Sequence, residues 1–379
     1  MWEERLVGQK PLLTSLRKSL VEDKLPHAMI VAGRYGYGGL AISLALAQTI
    51  LCTDLKNGRP CGVCKACVQS SKLIHPDLHM SYPVVAAKGG KPKRDQITSD
   101  YYVTQWRQAI SENPYLNHSE WIEQIVSESS NSDINVTECV NIYQKLSMTS
   151  YSGSRRVLIM WHAEKLGSNG NRLLKLIEEP PVGTFIIFVV EQPELLLNTI
   201  RSRCQLIDVK RIATEDITAY GRQTLDLDTE GVDRISFMAE GDLRQVQELV
   251  GMDHEDISTI TKQWIDAIFA GQLAKTRAVV DAYKGKTKID VYRSSVAYFL
   301  RLLRELIHLR VAGEGLTRLS DVDRVYLQRH RGLQALDIDQ IGQISEKLSA
   351  TLDMLYHNVN ARNLAFHVSL QIEEIIIRK

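Results

Sequence analysis

Three short runs of apolar residues stand out in the first 200 positions of the chain. They occupy residues 29–32, 157–160 and 185–190, and each is bounded by polar or glycine-rich sequence. Short continuous apolar runs are typical of strands that are buried on both faces of a parallel sheet. A helical stretch ending at Pro180 separates the second run from the third, so strand, helix and strand predict a βαβ crossover. The pattern therefore predicts an α/β core.

A glycine-rich loop follows the first run. Apolar residues then recur at helical spacing from residue 40 to residue 51, so the pattern predicts strand, loop and helix. A phosphate-binding loop adds a lysine for the phosphates and a Ser/Thr hydroxyl for magnesium. Gly39 and Leu40 stand at those two positions. We therefore expect little or no nucleoside triphosphate binding, and we interpret the loop as a turn between strand and helix. Its glycines are Gly33, Gly36, Gly38 and Gly39.

The end of the second run lacks the acids of an ATPase. In such enzymes carboxylates after this strand hold magnesium and polarise water, whereas this strand ends in Trp161, His162, Ala163 and Glu164. Tryptophan cannot replace a carboxylate. A histidine with no identifiable metal or nucleophile partner is more often structural than catalytic, and we interpret Glu164 as a surface or capping charge.

Four cysteines, Cys52, Cys61, Cys64 and Cys67, form the pattern C-x8-C-x2-C-x2-C. Closely spaced thiolates on tight turns can converge on one tetrahedral metal ion. The pattern favours zinc, and an iron–sulfur cluster is the alternative because cysteines at two-residue gaps occur there as well. Four ligands leave no open position, so such a site would be structural.

The remaining sequence divides into an insertion and a helical region. Residues 84–133 interrupt the α/β pattern, and they predict a helical middle that contains Trp106 and Trp121. The insertion includes a basic stretch, for which we favour a solvated loop over a contact with DNA or another subunit. From about residue 257 the apolar positions follow helical spacing without strand-like alternation, which predicts a helical bundle. The basic residues are Lys88, Lys91, Lys93 and Arg94.

Charge and hydropathy exclude several classes of protein. The formal net charge is +1, so the strongly basic surface of a protein that wraps nucleic acid is absent. No stretch approaches the ~18 apolar residues of a membrane-spanning helix. The first five residues, MWEER, lack the positive region of a signal peptide. We therefore expect a cytoplasmic protein without a membrane segment.

Several motifs in order along the chain resemble the clamp-loader branch of the AAA+ superfamily, and most closely the delta-prime family of bacterial DNA polymerase III. The resemblance spans most of residues 1–250 and, more loosely, the C-terminal helices. The motifs that carry it are Val7-Gly8-Gln9, Leu25-Pro26-His27-Ala28, the four-cysteine module, His75-Pro76-Asp77, residues 173–181 (LLKLIEEPP) and residues 199–204 (TIRSRC).

The resemblance implies an architecture in three parts and a fold that is α/β plus all-α. An AAA+ P-loop-type parallel-sheet core over residues 1–165 would hold the zinc module at 52–67 and the insertion at 84–133. A small helical lid would cover residues 166–250, and a helical collar that joins subunits would cover residues 251–379. Arg244 would lie in the lid segment that senses nucleotide in active relatives, with a structural role here.

The resemblance also implies a function. Delta-prime subunits typically have degenerate nucleotide sites, and their Ser-Arg-Cys motif supplies an arginine finger to a neighbour, which assigns that role to Arg203. The implied role is a non-hydrolysing stator in a five-subunit ring with gamma/tau and delta subunits, which places a sliding clamp on primed DNA. The alternatives are an active gamma/tau-like ATPase and a zinc-ribbon protein that binds nucleic acid.

Overall fold

The computed structural model describes residues 1–34, 36–85, 96–125, 132–148, 155–250, 254–282, 288–312, 321–355 and 360–377. The chain divides into two compact units, Met1–Gln247 and Glu248–Lys379. The predicted basic stretch with Lys88, Lys91, Lys93 and Arg94 lies outside the described residues. Within the ranges above, no helix is both long enough and apolar enough to cross a membrane.

A five-stranded parallel sheet forms the centre of the first unit. Its strands are β1 (Ala28–Ala32), β2 (Leu78–Ser81), β3 (Arg156–Trp161), β4 (Thr184–Val190) and β5 (Gln205–Asp208). They lie in the order β2-β3-β4-β1-β5, and every neighbouring pair is parallel. All residues of β1 and β3 are buried, and apart from Arg156 at the start of β3 they are apolar, as expected for buried strands. The predicted parallel α/β core is confirmed.

Two strands of the sheet, β4 and β5, lie beyond the predicted boundary of the core. The predicted core ended at residue 165, and a helical lid was expected over residues 166–250. Both β4 and β5 lie in that second range and pair with β1. The boundary at 165 is therefore wrong, because the sheet continues to Asp208. The boundary between lid and collar at residue 250 remains a prediction.

Helices cover the sheet and continue beyond it. After β4 the chain forms a short 3-10 turn, becomes extended at Leu196 and then forms the short helix α8 (Asn198–Arg201). The helices up to residue 250 are α1 (Lys10–Val21), α2 (Gly39–Leu51), α3 (Lys65–Ser71), α4 (Val103–Glu112), α5 (His118–Ile125), α6 (Val136–Ser147), α7 (Leu174–Glu178), α8 (Asn198–Arg201), α9 (Thr214–Thr224), α10 (Thr229–Met238) and α11 (Leu243–Val250). Further 3-10 helices are Trp2–Arg5, Ser99–Tyr102, Ala163–Leu173 and Pro193–Leu195.

The second unit is helical throughout its described residues, which confirms the predicted bundle. Its core includes Trp264, which is buried and donates a hydrogen bond from Nε1 to Oγ of Ser369 at 2.9 Å. Its helices, apart from the end of α11, are α12 (His254–Phe269), α13 (Leu273–Ala282), α14 (Lys288–Ala312), α15 (Asp321–Arg329), α16 (Arg331–Ala335), α17 (Ile338–Met354) and α18 (Ala361–Ile377).

Candidate functional site: a filled nucleotide loop, a cysteine cluster and an exposed arginine

The glycine-rich loop connects β1 to α2 at the carboxyl edge of the sheet, where ligands bind in open parallel sheets. Gly36 and Gly38 have φ values of +69° and +94°, which favour glycine. A Cβ atom on Gly36 would overlap the carboxylate of Asp242. The backbone N–H of Leu243 also donates to the carbonyl of Gly36 at 3.1 Å. The loop therefore uses its glycines to pack closely against the segment that begins α11.

The insertion places a tyrosine against this loop. Tyr115 lies between α4 and α5 and is 5% exposed, and a Cβ on Gly38 would lie 3.1 Å from its ring. Its hydroxyl accepts a hydrogen bond from the N–H of Val7 at 2.9 Å. Burial raises the pKa of Tyr115 well above the usual range, so the phenol stays neutral. The ring is thus fixed at both its edge and its hydroxyl.

The remaining space at the loop is small. A cavity of about 30 Å³ is left between the glycine loop, the turn that holds Tyr115 and the ends of β3 and β4. Ligand sites for small molecules usually measure ~300–1,000 Å³, whereas this volume suits an ion or one or two water molecules. Trp161, which stands in place of a carboxylate, lines the cavity and packs 5.0 Å from the ring of Trp106.

Arg244 has a contact that the sequence did not predict. Its guanidinium donates from Nε and Nη2 to Oε1 of Glu120 at 3.2 and 3.0 Å. This pair ties α11 to α5, so the insertion is attached both to the glycine loop and to α11. Neither Tyr115 nor Glu120 was singled out from sequence. The signal that was available is the short Asn-Pro-Tyr turn between two helices that each bury a tryptophan.

The four predicted metal ligands converge in space. Cys52 follows α2, Cys61 and Cys64 lie in the next turns, and Cys67 is in α3. Their Sγ atoms all lie within 4.8 Å of one another, and none of the four forms a disulfide. The Sγ of Cys52 is 3.8 Å from that of Cys61 and 4.0 Å from that of Cys64. Four thiolates ~2.3 Å from a tetrahedral zinc ion would be about 3.8 Å apart, so the spacing fits one ion.

Backbone N–H groups point at these sulfur atoms. The N–H of Cys61 donates to Sγ of Cys52 at 3.3 Å, and the N–H of Cys64 donates to Sγ of Cys61 at 3.3 Å. Burial raises the pKa of Cys52 and Cys67. At Cys64 burial acts in the same direction, but hydrogen bonds with Thr53 and Cys67 outweigh it and lower the pKa to about 6. The cluster thus stabilises thiolate character at Cys64, the form that binds metal.

Arg203 lies between α8 and β5, and its side chain is 39% exposed. Its Nε donates to Oε1 of Glu178, and its Nη1 donates to the carbonyl of Thr199 at 2.9 Å. These contacts orient a guanidinium that remains accessible at the surface. Arg203 does not line the cavity at the glycine loop.

Comparisons with known proteins agree with the family resemblance that the sequence motifs indicate. A family model described as "DNA polymerase III, delta subunit" matches residues 8–213, which is more than half of the chain. The chain is 24% identical to DNA polymerase III subunit delta' of Bacillus subtilis over 98% of each sequence. It is 25% identical to subunit tau of the same organism over 80% of this chain and 46% of tau. It is 28% identical to subunit delta' of Escherichia coli over 48% of this chain and 41% of that subunit.

These matches confirm the resemblance on which the sequence interpretation depends, including the assignment to the delta-prime group. The five-stranded parallel sheet and the following helices agree with an AAA+ architecture. The chain therefore belongs to the DNA polymerase III delta-subunit family and is a clamp-loader subunit of that polymerase.

Proposed function

We propose that this chain is the non-hydrolysing delta-prime subunit of the clamp loader, and that Arg203 acts at the ATP site of a neighbouring gamma/tau subunit. With delta it would complete a five-subunit ring that places a sliding clamp on primed DNA. The observation that carries the proposal is the filled loop, because Tyr115 and its turn leave only about 30 Å³ beside the glycines. A chain without a nucleotide site of its own contributes to hydrolysis only through a neighbour.

The chemistry of the loop supports the absence of ATP turnover. No lysine or hydroxyl follows the glycines, since Gly39 and Leu40 occupy those positions. The strand that should supply magnesium-binding acids ends in a buried tryptophan, Trp161. A triphosphate needs space and a lysine at the start of the helix, and this cavity, which Arg34 also lines, provides neither. These features disfavour an active ATPase.

The surroundings of Arg203 support a role in trans. The side chain is accessible, and Thr199 and Glu178 hold its guanidinium in one orientation. A planar guanidinium donates several hydrogen bonds at once to phosphate oxygens. An arginine finger contributes ~10³–10⁵ in rate, or about 4–7 kcal/mol of barrier. In this proposal Glu178 orients Arg203 until phosphate oxygens of the neighbour replace the carboxylate.

We further propose that the cysteine cluster binds one structural zinc ion. When bound, zinc would supply a tetrahedral cross-link between the end of α2 and the start of α3. Because Cys52, Cys61, Cys64 and Cys67 fill all four positions, no site remains for water or substrate. The proposed role is to fix the turns between the two helices.

The test is reconstitution of the clamp loader with wild type, Arg203→Ala or Arg201→Ala. Arg201 is the matched control, since it is an exposed arginine two residues away that contacts Asn198. We expect normal assembly in all three cases, and clamp- and DNA-stimulated ATP hydrolysis that is strongly reduced only by Arg203→Ala. Arg203→Lys should recover little, because an ammonium group lacks the planar fork. Unchanged hydrolysis with Arg203→Ala would contradict the finger role.

A further inference from the structure

A second group of metal-ligating side chains lies at the carboxyl edge of the sheet, apart from the cysteine cluster. His162 and Glu164 follow β3, and Glu191 follows the neighbouring strand β4. One ligand atom from each of the three lies within 4.8 Å of the others. The sequence separates Glu191 from the other two by more than twenty positions, and the parallel pairing of β3 with β4 brings them together.

The carboxylate of Glu164 is buried, which corrects its interpretation as a surface charge. Its side chain is only 8% exposed. Oε1 lies 3.3 Å from Nδ1 of His162 and accepts a hydrogen bond from the N–H of Glu191 at 3.3 Å. Oε2 is inaccessible to solvent and accepts no hydrogen bond from the described residues. Burying an anionic oxygen without a partner is costly, and a cation in the cluster would remove that cost.

The donor set and the space both suit a small divalent cation. Imidazole nitrogen and carboxylate oxygen are common zinc ligands, at ~2.0–2.2 Å from the metal. Two such ligands on one tetrahedral ion are about 3.3–3.5 Å apart, which matches the distance between His162 and Glu164. The cavity of about 30 Å³ is lined by His162 and Glu191 and has room for a water molecule as a fourth ligand.

We propose that His162, Glu164 and Glu191 bind one first-row divalent cation, for which Zn²⁺ is the probe. The proposal depends on neither the arginine finger nor the zinc proposed at the cysteines. The cation would lie beside the filled nucleotide loop and would link the ends of β3 and β4. Three protein ligands leave one position for water, in contrast to the closed set of four cysteines.

Zinc content of the full-length chain tests this proposal. The apoprotein is equilibrated with Zn²⁺, freed of unbound ions and measured by elemental analysis. We expect two zinc ions in wild type, and one in Glu164→Gln, which keeps the shape of the side chain but removes its charge. Glu179→Gln, at an exposed acid outside the cluster, is the control and should keep two. The double variant Cys61→Ser/Cys64→Ser should keep one zinc ion. The triple variant that also carries Glu164→Gln should keep no zinc ion.

Circular dichroism identifies variants that fail to fold. If Glu164→Gln does not fold, Glu191→Gln takes its place, with the same expected loss of one ion. Zn²⁺ should also raise the thermal midpoint of Cys61→Ser/Cys64→Ser, and that increase should vanish when Glu164→Gln is added. A single zinc ion in wild type that Glu164→Gln leaves in place, or two ions in both folded glutamine variants, would overturn the proposal. Absence of zinc from the cysteine cluster alone would not contradict the proposed site at His162, Glu164 and Glu191, so the two metal sites are tested separately.

Discussion

His79 lies in β2, where burial and nearby positive charges act on its imidazole. Burial is the main cause that lowers the pKa of His79, to about 4, and the positive charge of Lys145 acts in the same direction. An unfolded chain holds a histidine with a pKa of ~6.5. Between these two values the unfolded chain binds the proton and the folded chain does not. Acidification from pH 6.5 towards pH 4 therefore destabilises the folded state.

We expect His79→Gln to remove this part of the acid sensitivity. At pH 5, binding of a proton to His79 in the unfolded chain lowers the free energy of unfolding by about 2 kcal/mol relative to pH 8. The loss of stability between pH 8 and pH 5, measured by urea denaturation, should be smaller by that amount in the variant. His367→Gln, at an exposed position in α18, is the control and should behave as wild type. Equal acid sensitivity in wild type and His79→Gln would contradict the predicted role.

At the scale of elements, aromatic side chains attach α4 and α5 to the sheet. Tyr82 stacks on Trp106 with ring centroids 4.0 Å apart, and Trp121 packs edge-on against both. Nε1 of Trp121 donates to the carbonyl of Pro83 at 2.8 Å. Nε1 of Trp106 is buried without a hydrogen bond in the described structure. The two tryptophans are both fully buried but differ in how their polar atom is satisfied.

This difference predicts that a change from tryptophan to phenylalanine lowers the free energy of unfolding by different amounts at the two positions. Trp106→Phe and Trp121→Phe remove a similar amount of apolar surface, but only Trp121→Phe breaks a hydrogen bond and leaves the Pro83 carbonyl without its donor. We expect Trp121→Phe to reduce the free energy of unfolding by about 1 kcal/mol more than Trp106→Phe. Urea denaturation of both variants at pH 8 measures the difference. A larger loss in Trp106→Phe would show that packing, and not the hydrogen bond, dominates.

The strands that could be predicted from sequence are those in the middle of the sheet. β1, β3 and β4 are almost entirely buried, so their sequences are continuous apolar runs. β2 and β5 lie at the edges, and most residues of β5 are exposed, so their sequences resemble loops. The boundary at residue 165 came from the family resemblance, whereas the βαβ pattern had already predicted that residues 185–190 share a sheet with residues 157–160. The pairing of β5 with β1 joins distant residues, and periodicity does not reveal it.

The same distinction between local and distant contacts applies to the site. The cysteines converge over a short stretch of chain, so their spacing alone predicted the cluster. The ring of Tyr115 packs against Gly38 and its hydroxyl accepts from the N–H of Val7, 108 positions earlier, and no local pattern encodes these contacts. Glu164 was interpreted as a surface charge because it follows a strand. Its burial comes from the adjacent strand end that carries Glu191.

For the whole molecule, the filled loop predicts that ATP and ADP do not change the thermal stability of the chain. A ligand at 100 times its dissociation constant stabilises a protein by about 2.7 kcal/mol, which raises the thermal midpoint. We expect millimolar ATP or ADP with magnesium to leave the midpoint of this chain unchanged. A gamma/tau subunit under the same conditions is the positive control and should be stabilised. A comparable increase in this chain would show that the loop accepts nucleotide and would contradict the proposed function.

Tyr115 belongs to the same polypeptide as the glycine loop, so it occupies the space beside that loop at all times. Metabolic changes in the ratio of ATP to ADP alter the occupancy of an ordinary nucleotide site, but they do not alter a side chain. In the proposed ring, this loop would therefore keep one form whether ATP or ADP prevails. The proposed stator would then offer its neighbour the same surface at every stage of that neighbour's hydrolysis.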